Sequence, residues 1–335
     1  MVTINDVAAA AGVAPSTVSY VISGKRTISP KTRRLVEESI RKLGYHPHAG
    51  ARALAGSRTN VLALVVPLRT DLNVSVVMQF VASAVTAARA HDHDLLLLTK
   101  DEGPAALQRV VSSAIADALI VMDVETGDPR VPMLLALDRP VVLIGVPDYP
   151  NGLTAVDLDF AAAGSASVGH LADLGHRRIA LIGPSPAVYH RGTSYATRFL
   201  KGFTETAQDR EMQAVSRHCS HSYEAASTVL DELFVQDPGI TGLVVHNEAV
   251  LPAVLSELRH RRLRVPEDVS VVAICPDSMA EQHSVTLTTV AIPAEEVGRQ
   301  AVEMVVRQLG GHATPEVRLL SPRLTVRDST AAARA

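Results

Sequence analysis

TINDVAAAAGVAPSTVSYVISG at residues 3–24, continued by SPKTRRLVEESIRKLGYHPHAGARALAG at residues 29–56, decides how this chain is read. Thr3 is placed to cap a helix with Asp6 in its first turn, and Ile4, Val7, Ala8 and Ala11 fall on one apolar stripe. Gly12 stops that helix, Gly12-Val13-Ala14 form a short turn, and Pro15 suits the first position of a second helix. Val18, Val21 and Ile22 give the second helix its own apolar stripe, ending near Gly24. Its opposite face carries Pro15, Ser16, Ser19 and Tyr20, small or polar groups at the end where a recognition helix meets base edges. Ser29 and Pro30 begin a third helix with Val36, Ile40 and Leu43 buried and Gly44 as its C-terminal cap. Lys31, Arg33, Arg34, Arg41 and Lys42 make its exterior basic. Three short helices in this arrangement predict a helix-turn-helix headpiece, and DNA is the first partner to consider.

Charge is divided in the same sense. Residues 1–60 hold nine Lys and Arg against Asp6, Glu37 and Glu38, a net +6, and the whole-chain −3 then leaves −9 for the remainder. A basic module on an acidic body contacts phosphates with one end and is repelled elsewhere. The 335-residue length allows two or three domains, and 47% hydrophobic with 20% charged residues is ordinary globular composition. No run of about 18 uncharged apolar residues is present, and the N-terminus opens on a capped helix in place of a signal core, so no membrane role and a cytoplasmic location are expected. Cys219 and Cys275 are too few for a disulfide framework and have no zinc-type spacing.

From Val61 onward, VLALVVP, DLLLLT, ALIVM, PVVLIG, RIALIG, GLVVH, VSVVAI and LTTV alternate with helical stretches, which predicts an α/β core of parallel sheets flanked by helices. The alternation is too long for one sheet, so two lobes are expected. A cleft at the carboxyl ends of such strands is the default small-molecule site.

The headpiece motifs, together with LGHRRIALIG at 174–183, GLVVHNEAVLPAVLSEL at 242–258 and VPEDVSVVAI at 265–274, resemble the lactose repressor (LacI/GalR) family of transcription regulators. The resemblance implies a headpiece at 1–47, a hinge helix or linker at 48–58 and a periplasmic-binding-protein-like core at 59–328, with a tail at 329–335. The first lobe would comprise about 59–160 plus 291–320 and the second about 161–290 plus 321–328. It implies a homodimer or larger assembly on an approximately palindromic double-stranded DNA operator, with a repressor's action controlled by a small polar effector between the lobes. The absence of leucine heptads after Arg327 leans against a tetramerising tail.

The residues expected at DNA are Thr3, Asn5, Pro15, Ser16, Thr17, Ser19, Tyr20, Lys25, Arg26, Lys31, Arg52 and Leu54. Ala49–Ala55 is marginal as an isolated helix, and the resemblance implies that it folds when two subunits bind DNA, wedging Leu54 into the minor groove. At the effector site the resemblance points to Asn247 and Glu248 after GLVVH, to Arg198 or Arg191, and to Asp277. Asn247 reads equally well as a helix N-cap. Two carboxylates usual in sugar-binding members are displaced here: VVAICPD has Cys275 before Asp277, and VVLI is followed by Gly145 with Asp148 three residues on. With no Trp and 3% aromatic residues, these departures weigh against a sugar ligand.

His91-Asp92-His93-Asp94 and His218-Cys219-Ser220-His221 lack the ligand sets of a metal site, so neither a metal nor a cofactor is expected. Ser165 and Ser167 read as small residues on a packed helix. With no phosphate loop, HExxH or nucleophile elbow, an enzyme is the poor reading. The remaining alternative is a solute-receptor-type binding protein that uses the cleft alone.

Overall fold

The computed structural model describes residues 2–23, 26–45, 58–100, 115–311 and 314–334. The headpiece is three helices, α1 (Ile4–Ala11), α2 (Pro15–Ser23) and α3 (Pro30–Leu43). Thr3 and Asp6 form a reciprocal capping box, with Thr3 N donating to Asp6 Oδ2 at 2.8 Å and Asp6 N donating to Thr3 Oγ1 at 3.4 Å. Gly12 and Gly44 close α1 and α3 in the left-handed conformation, at φ 65° and 60°. Val7, Ala8, Val18, Val21 and Val36 form the miniature core. Leu43, expected inside, is 36% exposed; the chain turns at Gly44 and inserts Tyr45, 5% exposed, in its place.

The core contains two six-stranded sheets. The first has the order β11 (Val317–Leu320), β5 (Thr154–Leu158), β4 (Val141–Ile144), β3 (Ala118–Val121), β1 (Val61–Val65), β2 (Asp94–Leu98), all parallel. The second has the order β12 (Leu324–Thr325), β10 (Thr288–Ala291), β9 (Ser270–Cys275), β8 (Gly242–Val245), β6 (Arg178–Gly183), β7 (Gln213–His218). Its strands are parallel except for β12, which runs antiparallel to β10. Central strands are buried on both sides, as β3, β4, β8 and β9 show, because helices cover both faces.

The chain passes between sheets three times, from β5 into helix α6 (Phe160–Asp173), from β10 into helix α12 (Ala294–Leu309), and from β11 into β12. The α12 helix packs back on the first sheet beside α4 (Val74–Ala90), where a Cβ on Gly298 would lie 2.9 Å from the Phe80 carbonyl oxygen. On the second sheet, α6 meets α8 (Ser194–Asp209) at an equally close crossing. There a Cβ on Gly202 would overlap the Ala161 carbonyl, and one on Gly164 the Phe199 carbonyl. Residues 329–333, read from sequence as a tail, are bonded to the second lobe. Ser329 is fully buried and donates to Val271 O at 2.6 Å, and Ala333 N donates to Leu174 O at 2.8 Å. Among the described residues no helix is long and apolar enough to cross a membrane.

Candidate DNA interface and effector cleft

On the headpiece, packing Val18 and Val21 inward leaves the other face of α2 open. Pro15 and Ser16 are exposed, while Thr17, Ser19 and Tyr20 are partly exposed. Arg26 holds its guanidinium 5.8 Å from the centre of the Tyr20 ring. Lys31 is exposed on α3, as are Arg33, Arg34, Arg41 and Lys42. Asn5 is exposed on α1, whereas the Thr3 hydroxyl is engaged within the cap, donating to Asp6 Oδ2 at 2.7 Å. Lys25, Arg52 and Leu54, with most of the expected hinge, lie outside the described residues.

The cleft lies at the carboxyl ends of both sheets and opens to solvent. Its first-lobe wall is built from Val66, Leu72, Val76, Val77 and Phe80 with Met122 and Ile144, and carries the polar groups Asp71, Asn73, Asp123 and Asp157. On the second-lobe side lie Pro184, Tyr195, His221 and the run His246-Asn247-Glu248, with Phe160 and Ile292 at the crossings. His246 sits within an aromatic group, its ring centre 4.1 Å from Phe199, 5.6 Å from Tyr195 and 5.7 Å from Phe160. Burial lowers its pKa to about 3, so the imidazole is neutral.

Asn247 starts a short 3-10 turn (Glu248–Val250) without capping it; its Nδ2 donates to the Cys219 carbonyl at 2.7 Å. The side chain is 2% exposed and held by this bond, so at the N-cap position it makes no side-chain capping bond. Glu248 is partly exposed toward the cleft and makes no side-chain ion pair among the described residues; burial raises its pKa to about 7.

Arg191 and Arg198, expected to face a ligand, are turned onto carboxylates of the opposite lobe and do not line the cleft. Arg191 Nη1 lies 2.7 Å from Asp71, in the loop after β1. Arg198 Nη1 lies 3.1 Å from Asp157 on β5, and its Nη2 3.6 Å from Asp159 at the first crossing. Burial pushes Asp157 up to about 7, opposed by the Arg198 charge. A third pair, Arg69–Asp123, closes the first-lobe side. Backbone bonds reinforce these contacts between lobes, Ser194 N to Val124 O at 2.9 Å and Thr126 N to Gly192 O at 2.8 Å.

Asp277 is also placed differently from expectation. It accepts from Arg327 at 2.9 Å and Thr289 at 3.2 Å, pairs with Arg323, and does not line the cleft. The basic groups of the returning C-terminal segment draw it away. At Gly145 a carboxylate is sterically barred: φ is +117°, and a Cβ would lie 2.8 Å from that of Val124. The sequence reading missed Asp71, Asp123, Asp157, Tyr195, His221 and His246; Asp123, Asp157, His221 and His246 lie within three residues of a strand end, whereas Asp71 is in the longer loop after β1 and Tyr195 is in the first turn of α8.

The histidine-rich motifs have local roles. His218 stacks on Tyr189 at 4.1 Å, and His93 Nδ1 is 2.6 Å from the His91 carbonyl. No group of three or more potential metal ligands occurs among the described residues.

Comparison with known proteins agrees with this arrangement. Residues 3–48 match the family described as bacterial regulatory proteins, lacI family, and residues 168–330 match a periplasmic binding protein-like domain. The chain is 31% identical over 340 residues to the HTH-type transcriptional regulator CelR of Thermobifida fusca, covering 98% of each chain. It is 24% identical over 336 residues to catabolite control protein A of Priestia megaterium, covering 98% of this chain and 99% of the relative. Among solved structures, a CelR–cellobiose complex superposes with a TM-score of 0.69 at 28% identity, covering 98% of this chain and 100% of that one. The lac repressor dimer bound to operator and the anti-inducer ONPF shares the fold, with a TM-score of 0.83 at 23% identity and 99% coverage of both. A headpiece match joined to relatives aligned along nearly the whole chain sets aside the solute-receptor alternative. The chain belongs to the lacI family of bacterial regulatory proteins and is a DNA-binding transcriptional regulator.

Proposed function

We propose that this regulator is a cytoplasmic, nucleoid-associated repressor, acting as a homodimer on an approximately palindromic operator and controlled by a small polar metabolite in the cleft. Residues 1–47 form the reading head, 48–58 the hinge, and 59–328 the two-lobed core. Pro15, Ser16, Thr17, Ser19 and Tyr20 face the major groove, with Asn5, Lys25, Arg26, Lys31 and Arg52 on or near the backbone and Leu54 at the central minor groove. Thr3 acts by fixing the first helix. Asn247 and Glu248 contact the effector, while Arg198 and Arg191 act indirectly through Asp157 and Asp71.

The observation that carries this reading is the set of ion pairs joining the lobes across the cleft, Asp71–Arg191 and Asp157–Arg198. A ligand in that space alters the lobe angle they brace. Since the chain enters the first lobe from the hinge, a change of angle alters the spacing of the two hinges of a dimer. The coupling between effector and operator is then typically about 1–3 kcal/mol. CelR, whose complex with cellobiose is known, provides a relative with a small ligand. The test is footprinting of DNA upstream of the protein's own gene, with and without metabolite extracts. A protected palindrome whose occupancy responds to an extract supports the reading; protection indifferent to every extract refutes effector control.

A further inference from the structure

The helix placed to read DNA carries no charge of its own. The α2 segment PSTVSYVIS contains no Lys, Arg, Asp or Glu, and its open side offers the small groups of Pro15, Ser16, Thr17 and Ser19 beside the Tyr20 ring. A hydroxyl donates a single hydrogen bond, whereas the strongest discrimination of guanine comes from two donors aimed together at O6 and N7. Nothing on α2 supplies that pair.

Arg26, between α2 and α3, does. It is exposed, and its Cζ lies 5.8 Å from the centre of the Tyr20 ring, within reach of a cation–π contact. Among the described residues Arg26 has no ion pair, and the Asp6 carboxylate of α1 is taken up by Thr3 N and Thr3 Oγ1. How the guanidinium is held decides what it can do. A carboxylate partner would occupy its N–H edge, while an aromatic ring attracts its charge and leaves the five N–H donors unspent. A long side chain thereby gains a seat on the open side of α2, and less rotamer freedom is left to lose when it meets DNA.

We infer that Arg26 is the guanine-reading residue of this headpiece and that Tyr20 is its positioning residue, the ring holding the guanidinium toward one base pair of each half-site. This rests on the proposed entry of α2 into the major groove, and it moves Arg26 from the backbone to a base edge.

The test is binding-site selection by the full-length protein from a random duplex library, followed by titration of the selected site and its single-base variants across salt concentrations. The parent should select a guanine at one symmetric position. Arg26→Ala should lose roughly 5- to 150-fold of the discrimination there, and Arg26→Lys nearly as much, because an ammonium keeps the charge without the paired donors. Tyr20→Phe should keep the preference, whereas Tyr20→Leu should weaken it about two- to fivefold, the scale of an exposed cation–π contact, and should add nothing in the Arg26→Ala background. Binding to random DNA at low salt, retained in each variant, shows that the headpiece is folded. A uniform loss across sequences in Arg26→Ala, with the salt slope lowered by about one, would make Arg26 a phosphate contact. A preference altered in Tyr20→Phe would make the hydroxyl the reader, and one intact in Tyr20→Leu would leave Tyr20 without a positioning role. Each of these results, or a selected site without the symmetric guanine, overturns the inference while leaving α2 in the groove. If the parent selects no sequence at all, the proposed reading by α2 falls with it.

Discussion

Tyr20 shows how much a single side chain decides. A Tyr on the open face of α2 offers one hydroxyl and an apolar ring, whereas Arg contacts guanine O6 and N7 together. Tyr20→Arg should therefore shift base preference at one symmetric operator position, with discrimination changing by about 1–3 kcal/mol, read from binding-site selection on both proteins. Identical selected sites would remove Tyr20 from the reading surface. In the cleft, Glu248 makes a pH prediction. Its folded pKa is raised to about 7 by burial, above the ordinary carboxyl value, so its contribution to stability is full below the unfolded pKa and fades as pH rises through about 7. Relative to Glu248→Gln, the ligand-free protein should lose thermal stability between about pH 4.5 and 7. A stability difference that is flat or opposite in sign over that range would show that this carboxyl is not held protonated.

At the scale of elements, what could be read in advance follows the strength of local signals. The three headpiece helices were legible because caps, turn glycines and apolar stripes agree within a few residues. Strands β3, β4, β8 and β9 were legible because both faces are buried and the sequence is continuously apolar. Strands β7 and β11 went unread because they are edges with exposed polar positions, and β5 because Asp157 interrupts its apolar run. The site was only half legible for a related reason. Asn247 and Glu248 sit beside a recognisable strand, whereas the partners of Arg191 and Arg198 lie 120 and 41 residues away, and no local pattern announces such pairing.

The α6–α8 crossing is the element contact most open to test, since α8 carries Tyr195 to the cleft and Arg198 to Asp157. Gly202→Ala forces a methyl group into the Ala161 carbonyl and should cost about 1–3 kcal/mol in denaturant unfolding, with effector affinity reduced as well. An unchanged midpoint would mean the two helices can separate freely. At the hinge, Leu54→Ala should weaken operator binding far more than binding to random DNA, because a wedge acts only where the duplex deforms. Equal losses on both DNAs would exclude the wedge.

At the scale of the whole molecule, charge is divided between a basic head and an acidic two-lobed body, and the lobes are braced by cross-cleft ion pairs. Each part has one task in the account. In the proposed function the head supplies phosphate contacts and base reading, while the body would pair subunits and sense the effector. The most direct test is a titration of the upstream operator fragment with the full chain and with residues 57–335, repeated across salt concentrations. The core fragment should fold but should not bind DNA. The full chain should show a log–log slope of about −0.9 per neutralised phosphate, so that six to ten contacts lose roughly 10³–10⁵ in affinity between about 50 and 200 mM salt. A flat salt response, or operator binding by the core fragment alone, would contradict it.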